Sequence, residues 1–303
     1  DALMRSLLTS INSYDMCITE FVRVVDSLVP KHVFFKICPE LHSQCLTPNN
    51  TPIRVQLLGQ HADWMAENAV RAIELGSRGI DLNFGCPAQT VNKSKGGAYL
   101  LKTPETIHKI VARVKSALGD CTEVSAKIRL GFDDTVLLDE IVDAIVTANA
   151  DLLTIHARTK RQGYKAPAHW QYIGEVSNKY DINIVANGEI WNKEDAENCQ
   201  SVSQTTNLML GRGALALPNL ANVIKNNEKP MPWNDLCSLL MKYSEQELKS
   251  NKSFYYSSRV KQWLRYLKLQ YPEAELLFQQ IKRFDDKQSI LNTIKELHLY
   301  QSA

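Results

Sequence analysis

Seven short apolar runs, separated by longer stretches with helical spacing, dominate the chain up to about residue 217. Continuous apolar runs are typical of strands that are covered on both faces of a sheet. The spacing predicts seven strands: Met16–Phe21, Ile53–Gly59, Gly79–Cys86, Glu123–Gly131, Asp151–Ala157, Ile182–Asn187 and Asn207–Gly211. The polar connection after the first strand contains a further apolar piece, His32–Ile37, which we predict to be extended.

The stretches between these runs predict helices. They cover 62–75, 103–118, 136–148, 170–179 and 193–201, with a short helix from Pro218 and another ahead of the first strand. Repeated β–α units of this length indicate a parallel sheet. A (β/α)8 TIM barrel needs one strand more than the seven counted here, and we expect that strand upstream of Asp1.

The pattern changes after the segment Lys229–Trp233. Strand-like runs stop, and helical spacing fills 234–249, 254–270, 273–283 and 287–297. We therefore predict an α/β fold with two domains, a TIM barrel over 1–230 and a small helical bundle over 231–303.

Composition excludes several classes of protein. The net charge is only +2, so the whole-chain balance does not predict a nucleic-acid partner. No apolar run is long enough to span a bilayer, and no secretory signal opens the chain. The seven cysteines are widely spread without a C-x-x-C pair. That usage favours reduced thiols in the cytoplasm and predicts neither a disulfide framework nor a metal site. We expect a monomer that needs no protein partner.

Each predicted strand carries a polar residue late in its run or just past it: Glu20, Gln56, Asn83, Lys127, His156, Asn187 and Arg212. A buried polar group without a partner costs on the order of a few kcal/mol, so any one of these residues needs a hydrogen bond. A whole set at equivalent places is better explained by a ligand at the C-terminal mouth of the barrel.

Two glycine turns indicate what that ligand carries. Ala186-Asn-Gly188 and Gly211-Arg-Gly-Ala214 stand at strand ends, each before a helix, where backbone N–H groups can bind phosphate. Lys127 and His156 on neighbouring strands could contact a planar anionic ring. Flavin mononucleotide (FMN) has both parts. Lys127 could instead be the Schiff-base lysine of a barrel aldolase.

Cys86 follows a glycine at the end of the third strand, and the loop Lys93–Ala98 comes shortly after it. A thiol in this position is placed to meet a ligand, although most free cysteines are inert packing groups. No base stands beside it in sequence, which favours an acid over a nucleophile.

Basic residues with interleaved aromatics occur twice, and both clusters suit contact with RNA phosphates and bases. The first cluster follows the His156 strand and the second lies in the helical domain. Their members are Arg158, Lys160, Arg161 and Tyr164, and then Arg259, Lys261, Trp263 and Arg265. The alternative for the second cluster is a solvated helix face with Trp263 in the core.

Several of these motifs together resemble the tRNA-dihydrouridine synthases over nearly the whole chain. The motifs are Val55–Gly59, Asp81–Pro87, Gly96–Leu101, Lys127–Gly131, Ile155–Thr159, Ala186–Glu189 and Gly211–Ala214. Further stretches, Thr19–Val25, Gly188–Trp191 and Arg259–Trp263, look most like the bacterial C subgroup of this family.

The resemblance implies an FMN enzyme that uses NADPH to reduce the C5–C6 bond of a uridine in tRNA. The subgroup implies uridine 16 of the D-loop. Cys86 would protonate C5 on the face opposite the flavin, and Asn83 would position the base. By the same resemblance, the flavin ring and phosphate would be held by Gln56, Lys127, His156, Asn187, Gly188, Glu189, Gly211 and Arg212.

The family's first strand, with a Pro-Met turn against the flavin, has no counterpart in the sequence. We therefore expect weak or absent FMN binding by the chain as it stands. Two other functions stay open: an FMN barrel acting on a small free pyrimidine, like dihydroorotate dehydrogenase, and a tRNA-binding protein without catalysis.

Overall fold

A computed structural model describes residues 1–249 and 253–302, with side chains as far as residue 297 in the last helix. Residues 250–252 and 303, which fall within the predicted helical domain, lie outside the described part.

The described residues contain one parallel sheet of seven strands in the order β1 to β7. The strands are β1 Cys17–Arg23, β2 Ile53–Leu58, β3 Ile80–Asn83, β4 Val124–Arg129, β5 Leu152–His156, β6 Asn183–Asn187 and β7 Leu208–Met209. Each strand pairs with the next along the chain, as successive strands of a (β/α)8 barrel do. The predicted seven strands and the TIM-barrel type of fold are confirmed.

Helices connect the strands and then continue alone. The first eight are α1 Ala2–Thr9, α2 Lys31–Ile37, α3 Ala62–Glu74, α4 Gln89–Lys93, α5 Pro104–Leu118, α6 Leu138–Val146, α7 Gln171–Lys179 and α8 Lys193–Ser203. After β7 follow α9 Arg212–Ala216, α10 Leu220–Lys225, α11 Trp233–Lys249, α12 Tyr256–Leu267, α13 Pro272–Ile281 and α14 Lys287–Ser302. Short 3₁₀ helices occupy Pro39–Ser43, Gly97–Lys102 and Ser253–Tyr255.

The prediction of an extended piece at His32–Ile37 is wrong, because this segment is α2. A short apolar run cannot by itself distinguish a strand from a buried helical turn. Here Pro30 stands directly before the helix and fixes its own φ at −58°. Phe34, which is fully buried, anchors the helical turn.

The chain divides into two compact units. The first comprises 1–2, 14–190 and 194–209, and the second comprises 3–13, 191–193 and 210–303. The division falls after Met209, whereas the sequence placed the domain boundary after residue 230. The functional roles of the two predicted domains stay predictions.

The first unit has its core between the sheet and the surrounding helices. Strand β2 is buried along its whole length, including its two polar residues Arg54 and Gln56. The second unit has its own apolar cluster, in which Leu7 of α1 and Leu217 join Trp233, Tyr256 and Trp263.

Among the described residues, none of the helices combines the length and the apolar composition needed to cross a membrane.

Candidate active site

Polar side chains from the neighbouring strands β2, β3 and β4 meet in the buried interior of the sheet. Gln56, Asp81 and Ser125 are aligned in register across these strands. Asp81 accepts hydrogen bonds from Gln56 Nε2 at 2.7 Å and from Ser125 Oγ at 2.6 Å. Asn83 Nδ2 donates to Gln56 Oε1 at 2.7 Å. The predicted residues Gln56 and Asn83 therefore belong to one connected network, built around an acid that the sequence did not single out.

Lys127 is the cation of this region. Its Nζ donates to Asn187 Oδ1 at 3.2 Å, and Asn187 Nδ2 donates to the Met209 carbonyl at 2.8 Å. Burial lowers the pKa of Lys127 to about 8, and the charge of nearby Asp81 works in the opposite direction. Burial likewise raises the pKa of Asp81, against the hydrogen bonds from Ser125 and Gln56. A lysine in this state can supply positive charge near neutral pH and lose it in mild base.

His156 ends β5, and its imidazole is buried beside Arg129. Arg129 Nη1 lies 3.4 Å from His156 Nδ1. Because a guanidinium only donates, Nδ1 is the acceptor and the neutral ring carries its proton on Nε2. The backbone at Gly188 has φ +121°, and a side chain there would lie 3.6 Å from His156 Nε2. The glycine therefore leaves space beside a donor N–H.

Cys86 is half-buried on the turn after β3. The turn is held from two sides. Arg129 Nε donates to the Gly85 carbonyl at 2.8 Å, and the Cys86 carbonyl accepts from Asn92 Nδ2 and from the Ala98 N–H. Gly97, with φ +59°, lies so close that an added Cβ would stand 3.0 Å from Cys86 Cβ. The glycine loop is thus a support for the cysteine turn.

Glu189, one of the predicted cofactor residues, follows Gly188 with φ +56°. Its carboxylate lies 2.9 Å from Arg158 Nη2, and the Arg158 side chain is completely buried. Arg158 Nε also donates to the Pro167 carbonyl at 3.2 Å. The structure therefore places Arg158, which we predicted to contact RNA, in the interior as the partner of Glu189.

The other residues of the β5 loop lie at the surface. Lys160 is partly exposed and Arg161 is exposed. Tyr164 is 55% exposed and meets His156 edge to face, with ring centroids 6.1 Å apart. This tyrosine is an aromatic surface within contact of a predicted flavin residue.

Gly211 and Arg212 belong to the second compact unit. Gly211 precedes α9, and a side chain added there would meet nothing within 4 Å. The Arg212 guanidinium lies over the Trp191 ring, 5.1 Å from its centroid. A cation that stacks on an indole is held in a defined direction.

The predicted RNA residues of α12 have mainly internal partners. Trp263 is 3% exposed and donates to the Leu215 carbonyl, so it is a core residue. Arg259 binds both carboxylate oxygens of Glu247, at 2.7 and 2.9 Å. Lys261 donates to the Phe284 carbonyl, whereas Arg265 is exposed. Arg265 is thus the exposed member of the four, with its guanidinium carbon 5.7 Å from the centroid of the Phe278 ring.

Of the strand-end set, Glu20 departs from the pattern. It lies on the exposed face of β1, away from the network. Thr19 faces the network instead, and its hydroxyl accepts from the Gln56 N–H at 3.0 Å. The irregular register between Ile18 and Phe21 accounts for this change, because one shifted residue moves a side chain to the other face.

Three residues that contact the candidate site were not among the residues predicted from the sequence: Asp81, Arg129 and Gly97. Asp81 and Arg129 lie two residues before Asn83 and two residues after Lys127, so both occupy the inward face of their strands. A search for polar residues at every second position would have found them. The contact of Gly97 with Cys86 has no such signal, because it arises from the fold of the loop.

The family model "Dihydrouridine synthase (Dus)" matches residues 1–301. The chain belongs to the dihydrouridine synthase family. The tRNA-dihydrouridine(16) synthase of Vibrio parahaemolyticus is 52% identical to it over 296 residues, which are 97% of this chain and 92% of the relative. The enzyme of the same name from Shewanella oneidensis is 51% identical over 303 residues, 99% of this chain and 96% of the relative.

A solved structure titled as a variant of NCR from Zymomonas mobilis shares the fold alone, with a TM-score of 0.52 and 13% identity. It covers 76% of this chain and 82% of its own. The family model and the two relatives, by contrast, confirm the predicted resemblance to the dihydrouridine synthases. This dihydrouridine synthase combines a half-buried thiol, a buried imidazole with an Nε2 proton and a titratable lysine, a set of groups suited to reduction of a ring with proton transfer.

Proposed function

We propose that this dihydrouridine synthase reduces the C5–C6 bond of uridine 16 in tRNA, with FMN as its flavin and NADPH as the source of electrons. The observation that carries the proposal is the Cys86 turn. A thiol stands on it, fixed by Arg129 on one side and by the Gly97 loop on the other. The names of the relatives support the choice of uridine 16.

The described side chains fit a flavin. Lys127 offers a positive charge, Gln56 an amide and His156 an Nε2 proton, while Gly188 leaves the space that a side chain would fill. A charge near an anionic ring and fixed donors beside it are what a reduced flavin requires. When bound, FMN supplies the hydride that uridine C6 takes up.

Asn187 with Gly188, and Gly211 with Arg212, stay our proposed ligands of the ribityl phosphate, and Glu189 stays a proposed cofactor residue. Glycine turns and a fixed guanidinium are suited to a dianion. The pairing of Arg212 with Trp191 and of Glu189 with Arg158 supports a defined placement of both side chains.

Cys86 supplies the proton. Arrival of hydride at C6 builds enolate character at C5 and O4, so the carbanion centre needs an acid on the far face of the base. The thiol breaks its S–H bond and C5 forms a C–H bond, which leaves a thiolate to be reprotonated from solvent. Asn83 holds its side chain toward Gln56 and can offer its amide to the base.

The substrate base must leave the stack of the tRNA to reach this turn. Lys160, Arg161 and Tyr164 are the residues of the β5 loop that we propose to meet the RNA, since all three are at least partly exposed. On α12 the exposed Arg265 is the strongest candidate.

The test is Cys86→Ala, with Cys121→Ala as its matched control because Cys121 is an exposed cysteine of the same chain. We expect Cys86→Ala to lower dihydrouridine formation at least about 10²-fold, the scale of a lost general acid. Binding of tRNA and reduction of the flavin by NADPH should be unchanged. Dihydrouridine is measured by mass spectrometry of nuclease fragments, which also locates the modified uridine.

Three outcomes would count against the proposal. Full turnover by Cys86→Ala would remove the acid role of the thiol. A modified uridine elsewhere than position 16 would remove the site choice. Reduction of a free pyrimidine by the intact protein, with tRNA untouched, would favour the small-molecule alternative.

A further inference from the structure

Asp81 is a buried carboxylate that the reaction described so far does not use. Its side chain is 1% exposed, in the middle of β3. Ser125 Oγ donates to Oδ1 at 2.6 Å and Gln56 Nε2 donates to Oδ2 at 2.7 Å. Burying a carboxylate costs free energy unless its hydrogen bonds are made, so the partners of Asp81 indicate which side chains it positions.

The hydrogen bonds continue from Asp81 to the cysteine turn. Gln56 Oε1 accepts from Asn83 Nδ2 at 2.7 Å, and Asn83 Oδ1 accepts from the Gly85 N–H at 3.0 Å. Gly85 is the residue before Cys86. One chain of bonds therefore joins the acid, a proposed flavin contact, a proposed substrate contact and the turn that carries the thiol.

The carboxylate gives this chain its direction. An ionised Asp81 has no proton to donate, so its Oδ2 is an acceptor. The amide nitrogen of Gln56 must therefore face Asp81, and the amide oxygen of Gln56 must face Asn83. Asn83 then donates to Gln56, and its own oxygen is left for the Gly85 N–H. The direction is the same if Asp81 is protonated. Oδ1 could then donate its proton to Ser125 Oγ, and the Ser125 hydroxyl could donate to the Ile80 carbonyl, which lies 3.4 Å away.

We propose that Asp81 is a positioning residue: through Gln56 and Asn83 it sets the direction of the hydrogen bonds that hold the Gly85–Cys86 turn. The catalytic meaning of this role rests on the proposed function, in which Gln56 meets the flavin and Cys86 meets the uridine. The charge of Asp81 also favours the protonated form of Lys127. Both effects place the acid behind the reacting groups and out of contact with them.

Exchanging the two end groups tests the direction. Asn83→Asp alone puts a carboxylate on either side of Gln56, whose amide oxygen must then face one of them. Adding Asp81→Asn removes the conflict. The new amide at position 81 can donate to Gln56 Oε1, while Gln56 Nε2 and the Gly85 N–H both donate to the new carboxylate at position 83. The double variant keeps the charge and the atoms of the network and reverses only the central amide.

Two readouts need neither flavin nor tRNA: the melting temperature, and the rate at which iodoacetamide alkylates Cys86, resolved from Cys121 by mass spectrometry. We expect Asn83→Asp to lower the melting temperature by about 4 °C or more. Its Cys86 alkylation rate should change at least about threefold, the scale of a lost net hydrogen bond. In the double variant both quantities should return most of the way to the wild-type values.

Recovery in the double variant supports the proposal, because independent effects of two buried substitutions would add. An Asn83→Asp protein that behaves like wild type, or a double variant that is no better than Asn83→Asp, overturns it. Absence of dihydrouridine formation by the wild-type protein would overturn the proposed function and leave this comparison valid.

A second pair of variants links the role to the reaction. Asp81→Asn keeps an acceptor for Gln56, whereas Asp81→Leu of similar size removes it. We expect Asp81→Leu to slow tRNA-dependent reoxidation of the reduced flavin at least about tenfold, because small misplacements of reacting groups are costly. Reduction of the flavin by NADPH, which does not use Cys86, should change less, and Asp81→Asn, which keeps an acceptor but loses the charge, should slow reoxidation less than Asp81→Leu does. Equal loss in both half-reactions, or equal behaviour of the two variants, overturns the positioning role.

Discussion

Lys127 illustrates how burial sets the chemistry of a single residue. Desolvation disfavours the ammonium and lowers its pKa to about 8, with Arg129 adding to this effect and Asp81 opposing it. The side chain is thus charged at neutral pH and neutral in mild base. The Schiff-base lysine of an aldolase also has a lowered pKa. The aldolase alternative is nevertheless disfavoured, because Lys127 donates to Asn187 and the chain belongs to the dihydrouridine synthase family.

The affinity for FMN should therefore fall as the pH rises through about 8, where the ammonium loses its proton. The phosphate of FMN keeps its charge over this range, since its second pKa is about 6. We expect a drop in affinity of about tenfold or more between pH 7 and pH 9.5, the scale of a lost charged hydrogen bond. Quenching of flavin fluorescence measures it. Lys127→Met should bind FMN weakly and without this pH dependence, and a flat wild-type profile would contradict the assignment.

The strand-end pattern predicted that Gln56, Asn83, Lys127 and Asn187 face a ligand, which stays a prediction. In the structure Gln56 and Asn83 share a network, and Lys127 bonds to Asn187. A cluster of basic residues, however, does not reveal which member is buried. Arg158 is fully enclosed with Glu189, because the tight turn after His156 directs it inward.

At the scale of elements, the Gly97 loop is a support for the cysteine turn. Gly97→Ala adds a Cβ at 2.9 Å from Val91 and 3.0 Å from Cys86, in a backbone conformation that alanine avoids. The conformation costs about 1–2 kcal/mol and the overlap about 1–3 kcal/mol more. We expect lower stability and slower dihydrouridine formation, measured by thermal unfolding and by product yield.

Gly119→Ala is the matched control for this variant. Gly119 also has positive φ, at +71°, but an added Cβ there would meet nothing within 4 Å. It should lose only the conformational part, about 1–3 kcal/mol for an extended backbone with positive φ, with full activity per folded molecule. Equal effects of the two substitutions would show that Gly97 does not support Cys86.

The ion pair between α11 and α12 is a further element-scale feature. Arg259 binds both oxygens of Glu247, whose side chain is 1% exposed. Arg259→Ala removes the cation from a buried carboxylate, which costs about 3 kcal/mol. We expect a lower free energy of unfolding in urea, with partial recovery on adding Glu247→Gln. An unchanged stability together with weaker tRNA binding would instead support the RNA contact predicted from the sequence.

The same scale shows why strands were easier to predict than short helices. Strands β2 and β4 are almost wholly buried, and their apolar residues recur at every second position, a period that identifies a strand. Helix α2 and the 3₁₀ helix Gly97–Lys102 lie in connections, where tertiary packing decides the backbone. Their short sequences carry too few periods of an apolar pattern to distinguish helix from strand.

At the scale of the whole molecule, the second unit limits how its role can be tested. Leu7 and Leu217 share an apolar cluster with Trp233 and Tyr256. Removal of 231–303 would expose that cluster, so loss of activity after such a deletion would not distinguish RNA binding from unfolding. Substitutions of exposed basic residues on α12 avoid the difficulty.

Arg265 and Lys268 are exposed, and Lys268 pairs with Glu275 at the surface. Surface ion pairs contribute little to folding, so Arg265→Ala with Lys268→Ala should leave stability within about 1 kcal/mol of wild type. If these cations meet tRNA phosphates, each loss should reduce the slope of log affinity against log salt by about 1. Filter binding of tRNA between low and moderate salt measures the slope.

The control pair is Arg113→Ala with Lys179→Ala, two exposed basic residues of the first unit that also form surface ion pairs. It removes the same charge from the protein, so a general effect of net charge would appear in both pairs equally. A change confined to the α12 pair would assign the effect to that helix. Reduction of the flavin by NADPH should be the same in both double variants and in the wild type, because that step involves no RNA. If the α12 pair binds and modifies tRNA as wild type does, these two side chains are solvated surface groups, and the RNA contacts must be sought in the β5 loop around Arg161 and Tyr164.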